Sequence, residues 1–340
     1  MTAAANGPVD CVVALTYRCN LKCLTCDLAE KAGAERVSPE VLGRLPASLR
    51  YINLSGGEPF LRDDTAACAR AAAAACPRAA ITISTNGSLP ARAEEVVRDL
   101  REAGLGVRVS VSVDGLEATH DRVRQTPGSF AKVLETIDRL QPLLGRDLHL
   151  AFTISAANAA EFEGVAALAR SRRLPLSLAF VHTSEHYFRP REAVVPTGEE
   201  ARAAARAAVS YYLKRFSARA AGRAYFASGF QCLLEGSKRP LPCRAGERFF
   251  YLDAAANVYG CNMRADVLGN LAAAAWDDIW GARPRRDFLP TTGDACPVQC
   301  WMVCTARTSI RDGRVRVGWW AARAYPAAWL GGTPPGNCRP

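Results

Sequence analysis

Three cysteines near the start of the chain, Cys19, Cys23 and Cys26, have the spacing C-x3-C-x2-C. They follow an apolar run at 12–15 and stand among polar residues, which favours a loop after a strand over buried, inert thiols. Three thiolates in such a loop can hold a 4Fe-4S cluster, which normally takes four cysteines. One iron then stays open, so the spacing predicts a cluster that binds a substrate or cofactor.

Polar turns also follow the next predicted strands. Gly56-Gly57-Glu58-Pro59 comes after the strand at 51–55; alone it is a strand-ending turn, but its two glycines let the backbone approach a ligand and Glu58 offers a carboxylate to a cation. The remaining polar candidates come at or after the later strands at 80–84 and 107–113, and they are Ser84, Asn86, Ser112, Asp114 and Arg124.

The cysteine spacing and these turns together resemble the radical S-adenosylmethionine (SAM) superfamily. The resemblance implies that SAM binds the open iron, that the GGEP turn receives its ammonium, and that the Ser84–Asn86 turn lines its ribose. It also implies that Ser112 and Arg124, twelve residues apart, bind the SAM carboxylate. The SAM-binding set implied in this way is Gly56, Gly57, Glu58, Pro59, Ser84, Asn86, Ser112, Asp114 and Arg124.

Strand-like and helix-like segments alternate over the first half of the chain, which indicates an α/β fold with a parallel sheet and right-handed crossovers. The resemblance makes this a partial (β/α)6 barrel at 1–183, with a helical bridge at 184–230 and a small cysteine-rich α+β module at 231–340. The expected strands are 10–16, 51–55, 80–84, 107–113, 148–154 and 176–181. The expected helices are 39–48, 63–76, 91–103, 129–143 and 159–172, with a long Ala/Arg helix at 197–221.

A second group of cysteines lies in the last third of the chain. The segment between Cys243 and Cys261 reads as a β-hairpin with its turn near 253–257, which would bring these two thiols together. The others form a C-x3-C-x3-C run of Cys296, Cys300 and Cys304.

This region resembles the SPASM or twitch module, which adds auxiliary 4Fe-4S clusters to some radical SAM enzymes. It departs from the full pattern in the C-x3-C-x3-C run and in Ala256, which stands where a turn glycine is usual. We therefore expect one auxiliary cluster, held by Cys243, Cys261 and two of the last three cysteines. A second cluster using Cys232 and Cys338, or a tetrahedral zinc site, is the alternative.

Composition limits the other classes of function. The 340 residues carry 13 cysteines without a recognisable secretory signal, so we expect reduced thiols in a cytoplasmic protein. No apolar run is long enough to cross a bilayer. The formal charge of +10 is spread along the chain without aromatic interleaving, which argues against nucleic-acid binding. The aromatic and basic tail at 317–330 packs on the C-terminal module or rests on a membrane surface.

The resemblance implies an enzyme that takes an electron from a reductant such as flavodoxin or ferredoxin, cleaves SAM to a 5'-deoxyadenosyl radical and abstracts hydrogen from a substrate. His182, Glu185 and His186 follow the sixth strand and are candidates for substrate contact or acid–base catalysis. About ten residues precede the first strand, which favours a small-molecule, sugar or lipid-linked substrate over a leader-bearing peptide. The alternative functions are those of a peptide-modifying maturase and of a non-catalytic iron-sulfur or zinc protein.

Overall fold

A computed structural model describes residues 7–31, 33, 35–190, 195–214, 221–298 and 300–329. The strands are β1 Asp10–Thr16, β2 Tyr51–Gly56, β3 Ala80–Thr85, β4 Val107–Ser112, β5 Leu148–Ile154, β6 Leu176–Phe180, β7 Phe249–Leu252, β8 Asn257–Tyr259 and β9 Val267–Asn270. The helices are α1 Pro39–Leu42, α2 Thr65–Ala75, α3 Pro90–Glu102, α4 Glu117–Arg124, α5 Ser129–Leu144, α6 Phe162–Ser171, α7 Glu199–Tyr212, α8 Ala221–Leu234, α9 Trp276–Trp280, α10 Arg283–Phe288, α11 Val303–Asp312 and α12 Arg314–Trp329.

The first six strands form a parallel sheet whose order follows the sequence, β6-β5-β4-β3-β2-β1. In register, Ile83, Val109 and Leu148 share one face of the sheet, and buried aliphatic residues continue that face along each strand. The opposite face, here called the lumen face, carries smaller or polar residues, among them Ser84 and Ser112. A sheet covered by helices on its apolar face and polar on the other is the arrangement expected of a partial barrel, and the predicted α/β fold is confirmed.

The sheet does not stop at the barrel. β7 pairs with β1 in parallel, and β8 and β9 follow in antiparallel order, which gives nine strands in total among the described residues. The hairpin expected between Cys243 and Cys261 is present, with β7 and β8 joined through Asp253 and Asn257. The C-terminal region therefore extends the same sheet instead of standing beside it.

Helix α11 closes the amino end of the lumen. Its Arg307 Nε lies 2.9 Å from Asp10 Oδ2, and its guanidinium lies 3.4 Å from the centre of the Tyr51 ring. Arg311 Nη1 lies 3.3 Å from the other oxygen of Asp10. Because Asp10 is fully buried, these two arginines supply the charge that makes its burial tolerable.

Several expected helices differ from those observed. The helix expected at 39–48 ends at Leu42, because Gly43 and Pro46 follow. The one expected at 197–221 is α7, and the segment 215–220 lies outside the described residues. Six of the observed helices were not anticipated, namely α4, α8, α9, α10, α11 and α12.

The aromatic tail lies partly within α12. Trp320 is buried against Tyr225, with ring centres 5.3 Å apart, whereas Val315 and Trp319 are exposed. Membrane contact through this tail stays a prediction, and Cys338 lies outside the described residues. In the described part of the chain, no helix combines the length and apolarity needed to span a bilayer.

Candidate functional site

A cavity of about 160 Å³ lies at the carboxyl ends of β1 to β4, where ligand sites form in parallel α/β folds. All three cysteines of the first motif line it. Most of the implied SAM-binding set lines it too, namely Gly56, Gly57, Ser84, Asn86, Ser112 and Arg124. Glu58, Pro59 and Asp114 do not. Residues far apart in sequence thus meet in one place, as expected when every motif follows a parallel strand.

The cysteine loop is fixed by hydrogen bonds to both neighbouring segments. The Leu24 N–H donates to the Val123 carbonyl at 2.9 Å, and Asn86 Nδ2 lies 3.8 Å from Cys19 Sγ. Burial raises the pKa of Cys19, and it raises the pKa of Cys26 to about 12, with the neighbouring thiols adding to both shifts. Thiols held neutral by burial and by each other are suited to a bound iron cluster, whose positive charge would stabilise the thiolates.

Gly56 and Gly57 allow the second strand to pass directly against the cysteine loop. Gly56 has φ +120°, and a Cβ there would lie 2.2 Å from the Thr16 carbonyl oxygen. A Cβ on Gly57 would lie 2.1 Å from the carbonyl oxygen of Arg18, the residue before the first cysteine. Since both neighbours are backbone atoms, a larger residue can enter only if the loop moves.

Replacing Gly57 by Ala should therefore displace the loop that carries Cys19. We expect the free energy of unfolding to fall by about 1–3 kcal/mol, the usual cost of overpacking, and iron incorporation at the first motif to fall with it. The matched control is Gly106→Ala, because a Cβ there meets nothing within 4 Å. Urea denaturation and iron analysis of both variants measure the effect, and equal stability of the two would contradict the argument.

The Glu58 carboxylate connects two turns of the site. Its carboxylate accepts hydrogen bonds from Phe60 N at 3.0 Å, Thr85 Oγ1 at 2.9 Å and Asn86 N at 2.7 Å. Burial raises its pKa to about 7, although these bonds oppose the shift. These bonds tie the Asn86 turn to the GGEP turn, and contact between Glu58 and the SAM ammonium stays a prediction.

Arg124 reaches the cavity from the end of α4. Its Nη2 lies 2.7 Å from Asp114 Oδ2, and its Nη1 lies 3.7 Å from Cys23 Sγ. Asp114 also accepts the Thr153 N–H at 3.2 Å, and its own N–H donates to His120 Nδ1 at 3.1 Å. The Nε of Arg124 is buried without a hydrogen-bond partner among the described residues, which is uncommon for a buried donor.

Comparison with known proteins identifies the N-terminal part of the chain. Residues 13–165, which include the cysteine motif and every residue of the implied SAM-binding set, match the Radical SAM superfamily. The chain contains a radical SAM domain. The similar curated proteins carry enzyme names, which supports the prediction that the protein is an enzyme.

Two curated relatives illustrate the similarity. A probable GTP 3',8-cyclase of Methanocella arvoryzae is 40% identical over 136 residues, 37% of this chain and 41% of that protein. An Fe-coproporphyrin III synthase of Methanosarcina barkeri is 32% identical over 179 residues, 49% of this chain and 42% of that protein. The chain thus spans about two fifths of the length of these relatives.

Solved structures share the fold. SuiB of Streptococcus suis bound to S-adenosylmethionine has a TM-score of 0.60 at 14% identity, covering 84% of this chain and 68% of that one. Native anSMEcpe with bound AdoMet also has a TM-score of 0.60 at 14% identity, covering 93% of this chain and 100% of that one. At this identity the likeness shows the fold alone.

Outside the radical SAM domain, the structure gathers the second cysteine group. Burial raises the pKa of Cys304 to about 12, and interaction with the thiols of Cys261 and Cys243 adds to the shift. Burial also raises the pKa of Cys300, and the same two thiols add to it. Cys296 interacts with Cys261 but is more exposed than Cys300 and Cys304. No three side chains of His, Cys, Asp or Glu among the described residues converge closely enough to hold a single metal ion.

The residue after Cys261 is part of this region. Asn262 accepts the Cys304 thiol on its Oδ1 at 3.6 Å, and its carbonyl accepts the Ser184 hydroxyl at 2.7 Å. Asn262 is only 3% exposed, so these contacts fix the end of the hairpin against the loop after β6.

The three candidates for substrate contact do not share one site. His182 lines a separate cavity of about 240 Å³ with Phe180 and Lys238, and burial lowers its pKa to about 4. Glu185 accepts the Ala265 N–H at 2.9 Å and so holds the loop after Cys261. None of the three lines the cavity of the radical SAM domain.

His186 belongs to a group of aromatic rings that sequence reasoning missed. Its ring stacks on Tyr259 at 4.1 Å and lies 5.4 Å from Tyr251, which in turn lies 4.6 Å from Tyr187. A loop and two strands distant in sequence contribute these rings, so periodicity gives no signal for the cluster.

Proposed function

We propose that the protein is a radical SAM enzyme acting on a small-molecule, sugar or lipid-linked biosynthetic intermediate. Cys19, Cys23 and Cys26 would hold a 4Fe-4S cluster, which, once reduced, supplies the electron that cleaves SAM to methionine and a 5'-deoxyadenosyl radical able to abstract hydrogen from carbon. One observation carries the proposal: the three thiols, both glycines and Arg124 line a single cavity.

The residues of this cavity have defined tasks in the proposal. Arg124, fixed by Asp114, offers its guanidinium to the SAM carboxylate, and Ser112 offers a hydroxyl. Gly56 and Gly57 present backbone to the ammonium without a side chain between them. Leu28 and Ala29 provide an apolar wall that limits water at the reacting groups.

The test is an anaerobic reconstitution of the wild-type protein with iron and sulfide, followed by reduction with dithionite or a flavodoxin or ferredoxin system. We expect 5'-deoxyadenosine and methionine to form from SAM. An EPR signal of the reduced protein that is unchanged by SAM, with no 5'-deoxyadenosine, would instead support a non-catalytic iron-sulfur protein. Turnover that depends on a precursor peptide would favour the maturase.

We further propose one auxiliary cluster, held by Cys243, Cys261, Cys300 and Cys304. Cys261, Cys300 and Cys304 are buried, and all four thiols of this set interact with one another. Both observations support this set over one that includes Cys296. The cluster would accept or return an electron during substrate oxidation. We place the enzyme in the cytoplasm, where thiols stay reduced.

The auxiliary set makes a prediction about single variants. Cys300→Ala should lower the reconstituted iron from about eight to about four atoms per chain, because a 4Fe-4S cluster then lacks one of four ligands. Cys296→Ala should retain about eight. Iron analysis and EPR measure both, and the assignment would be reversed if Cys296→Ala lost the cluster and Cys300→Ala kept it. Zinc in place of iron in the wild type would contradict the cluster itself.

A further inference from the structure

A third cavity, of about 480 Å³, is larger than the two already described and lies beside β6, one of the two edge strands of the described sheet. Here it is called the β6 cavity. Its walls come from β5, β6, α7, α8 and α11, and aliphatic and aromatic side chains dominate them, including Leu176, Leu178, Phe226, Val303 and Ile310. Protein interiors are close-packed, and a void of this size is in the range of ligand pockets rather than packing defects.

Among the described residues, the polar groups that reach the β6 cavity are already satisfied or uncharged. Arg307 is paired with Asp10 at 2.9 Å. Tyr212 donates its hydroxyl to the Leu176 carbonyl at 3.1 Å. Burial lowers the pKa of His149 to about 4, so its ring is neutral at physiological pH. A charged or strongly polar ligand would lose its hydrogen bonds to water here without gaining a partner. A hydrocarbon has no such bonds to lose, and its transfer from water into the cavity is favourable.

The β6 cavity reaches the lumen face at the level of the cavity in the radical SAM domain. Ser177, which lines the β6 cavity, pairs in register with Ala151, and Ala151 pairs with Ser112, which lines the other cavity. With neighbouring strands about 4.8 Å apart, the Cα atoms of Ser112 and Ser177 are about 10 Å apart. Between them the sheet carries only the methyl group of Ala151.

We propose that the β6 cavity binds the hydrocarbon part of the substrate, an acyl or prenyl chain, while the carbon that loses hydrogen lies beside Ser112. The inference rests on the proposed function and narrows its substrate class to lipid-like molecules. An extended peptide added to the β6 edge is the competing occupant. The almost wholly apolar walls favour the hydrocarbon, since a peptide backbone would bring polar groups that need partners.

The experiment uses N-phenyl-1-naphthylamine, an uncharged probe that fluoresces in apolar surroundings, with the reconstituted full-length protein. Gly222 of α8 lines the cavity, and a Cβ there would lie 3.6 Å from Ile310 Cγ2, an ordinary contact. Gly222→Leu and Ile310→Phe therefore reduce the space from two different helices. Gly318→Leu is the matched control, because Gly318 of α12 is exposed and a Cβ there meets nothing within 4 Å.

We expect saturable probe binding in the wild type and in Gly318→Leu, displacement by 1-dodecanol, and about tenfold weaker binding in Gly222→Leu and Ile310→Phe at unchanged SAM affinity. No saturable binding in the wild type, equal binding in all four proteins, or displacement by a strand-forming peptide but not by dodecanol would each overturn the inference. SAM cleavage without substrate is measured on the same samples. If SAM is cleaved but the probe does not bind, the inference about the β6 cavity is wrong and the proposed function stands. If the probe binds but SAM is not cleaved, the proposed function is wrong.

Discussion

Replacing Cys19, Cys23 and Cys26 together by Ala is expected to abolish the formation of 5'-deoxyadenosine and to lower the reconstituted iron from about eight to about four atoms per chain. The reason is that these are the thiols that line the cavity of the radical SAM domain. Product analysis by chromatography and iron analysis measure the two effects. The expected loss of turnover is complete, because no step can begin without the cluster.

A buried cysteine outside both groups provides the control. Cys76 is fully buried, and its thiol donates to the Pro46 carbonyl at 3.3 Å. Cys76→Ala should keep both the iron content and SAM cleavage, because it removes a thiol without touching either group. Unchanged SAM cleavage in the triple variant would show that the first motif does not hold the catalytic cluster.

Arg124→Met is expected to weaken SAM binding about tenfold to a hundredfold, the range for losing a hydrogen bond to a charged group. The same change should lower the free energy of unfolding by about 3–5 kcal/mol, because it leaves the buried Asp114 without its ionic partner. Equilibrium dialysis with labelled SAM and urea denaturation measure the two effects. Arg122→Met is the matched control, because Arg122 is exposed on the same helix and its side chain bonds the Ala157 carbonyl instead of the cavity.

A double variant separates ligand binding from stability. Asp114→Asn combined with Arg124→Met removes the uncompensated charge and should recover part of the lost stability, but it cannot restore the donor to SAM. If the double variant regained SAM affinity together with stability, Arg124 would act only through the fold.

The barrel was predictable because its signal repeats along the chain. Each βα unit shows an apolar strand followed by a polar turn, so most of the lining of the cavity followed from the motif positions alone. The hydrogen bonds of Glu58 could not be predicted, because a carboxylate in a turn looks the same in sequence whether it meets a ligand or the neighbouring backbone. Only the three donors from residues 60, 85 and 86 distinguish the two.

The C-terminal half was less predictable, because its order depends on contacts distant in sequence. The pairing of β7 with β1 and the packing of α11 against Asp10 have no local pattern. At Ala256, the resemblance indicated a position that is usually glycine. In the structure this residue has φ +66°, the left-handed conformation that favours glycine. An L residue is strained there, and the turn keeps its left-handed shape nonetheless.

The contact between Asp10 and Arg307 bears on how the chain folds as it is synthesised. The two residues are 297 positions apart, so the first strand has neither its counter-charge nor its β7 neighbour until the C-terminal region has left the ribosome. Such long-range closure slows folding and leaves a strand edge open to association with other chains in the interval. The nascent barrel would therefore depend on chaperones, and expression of residues 1–230 alone should yield aggregates.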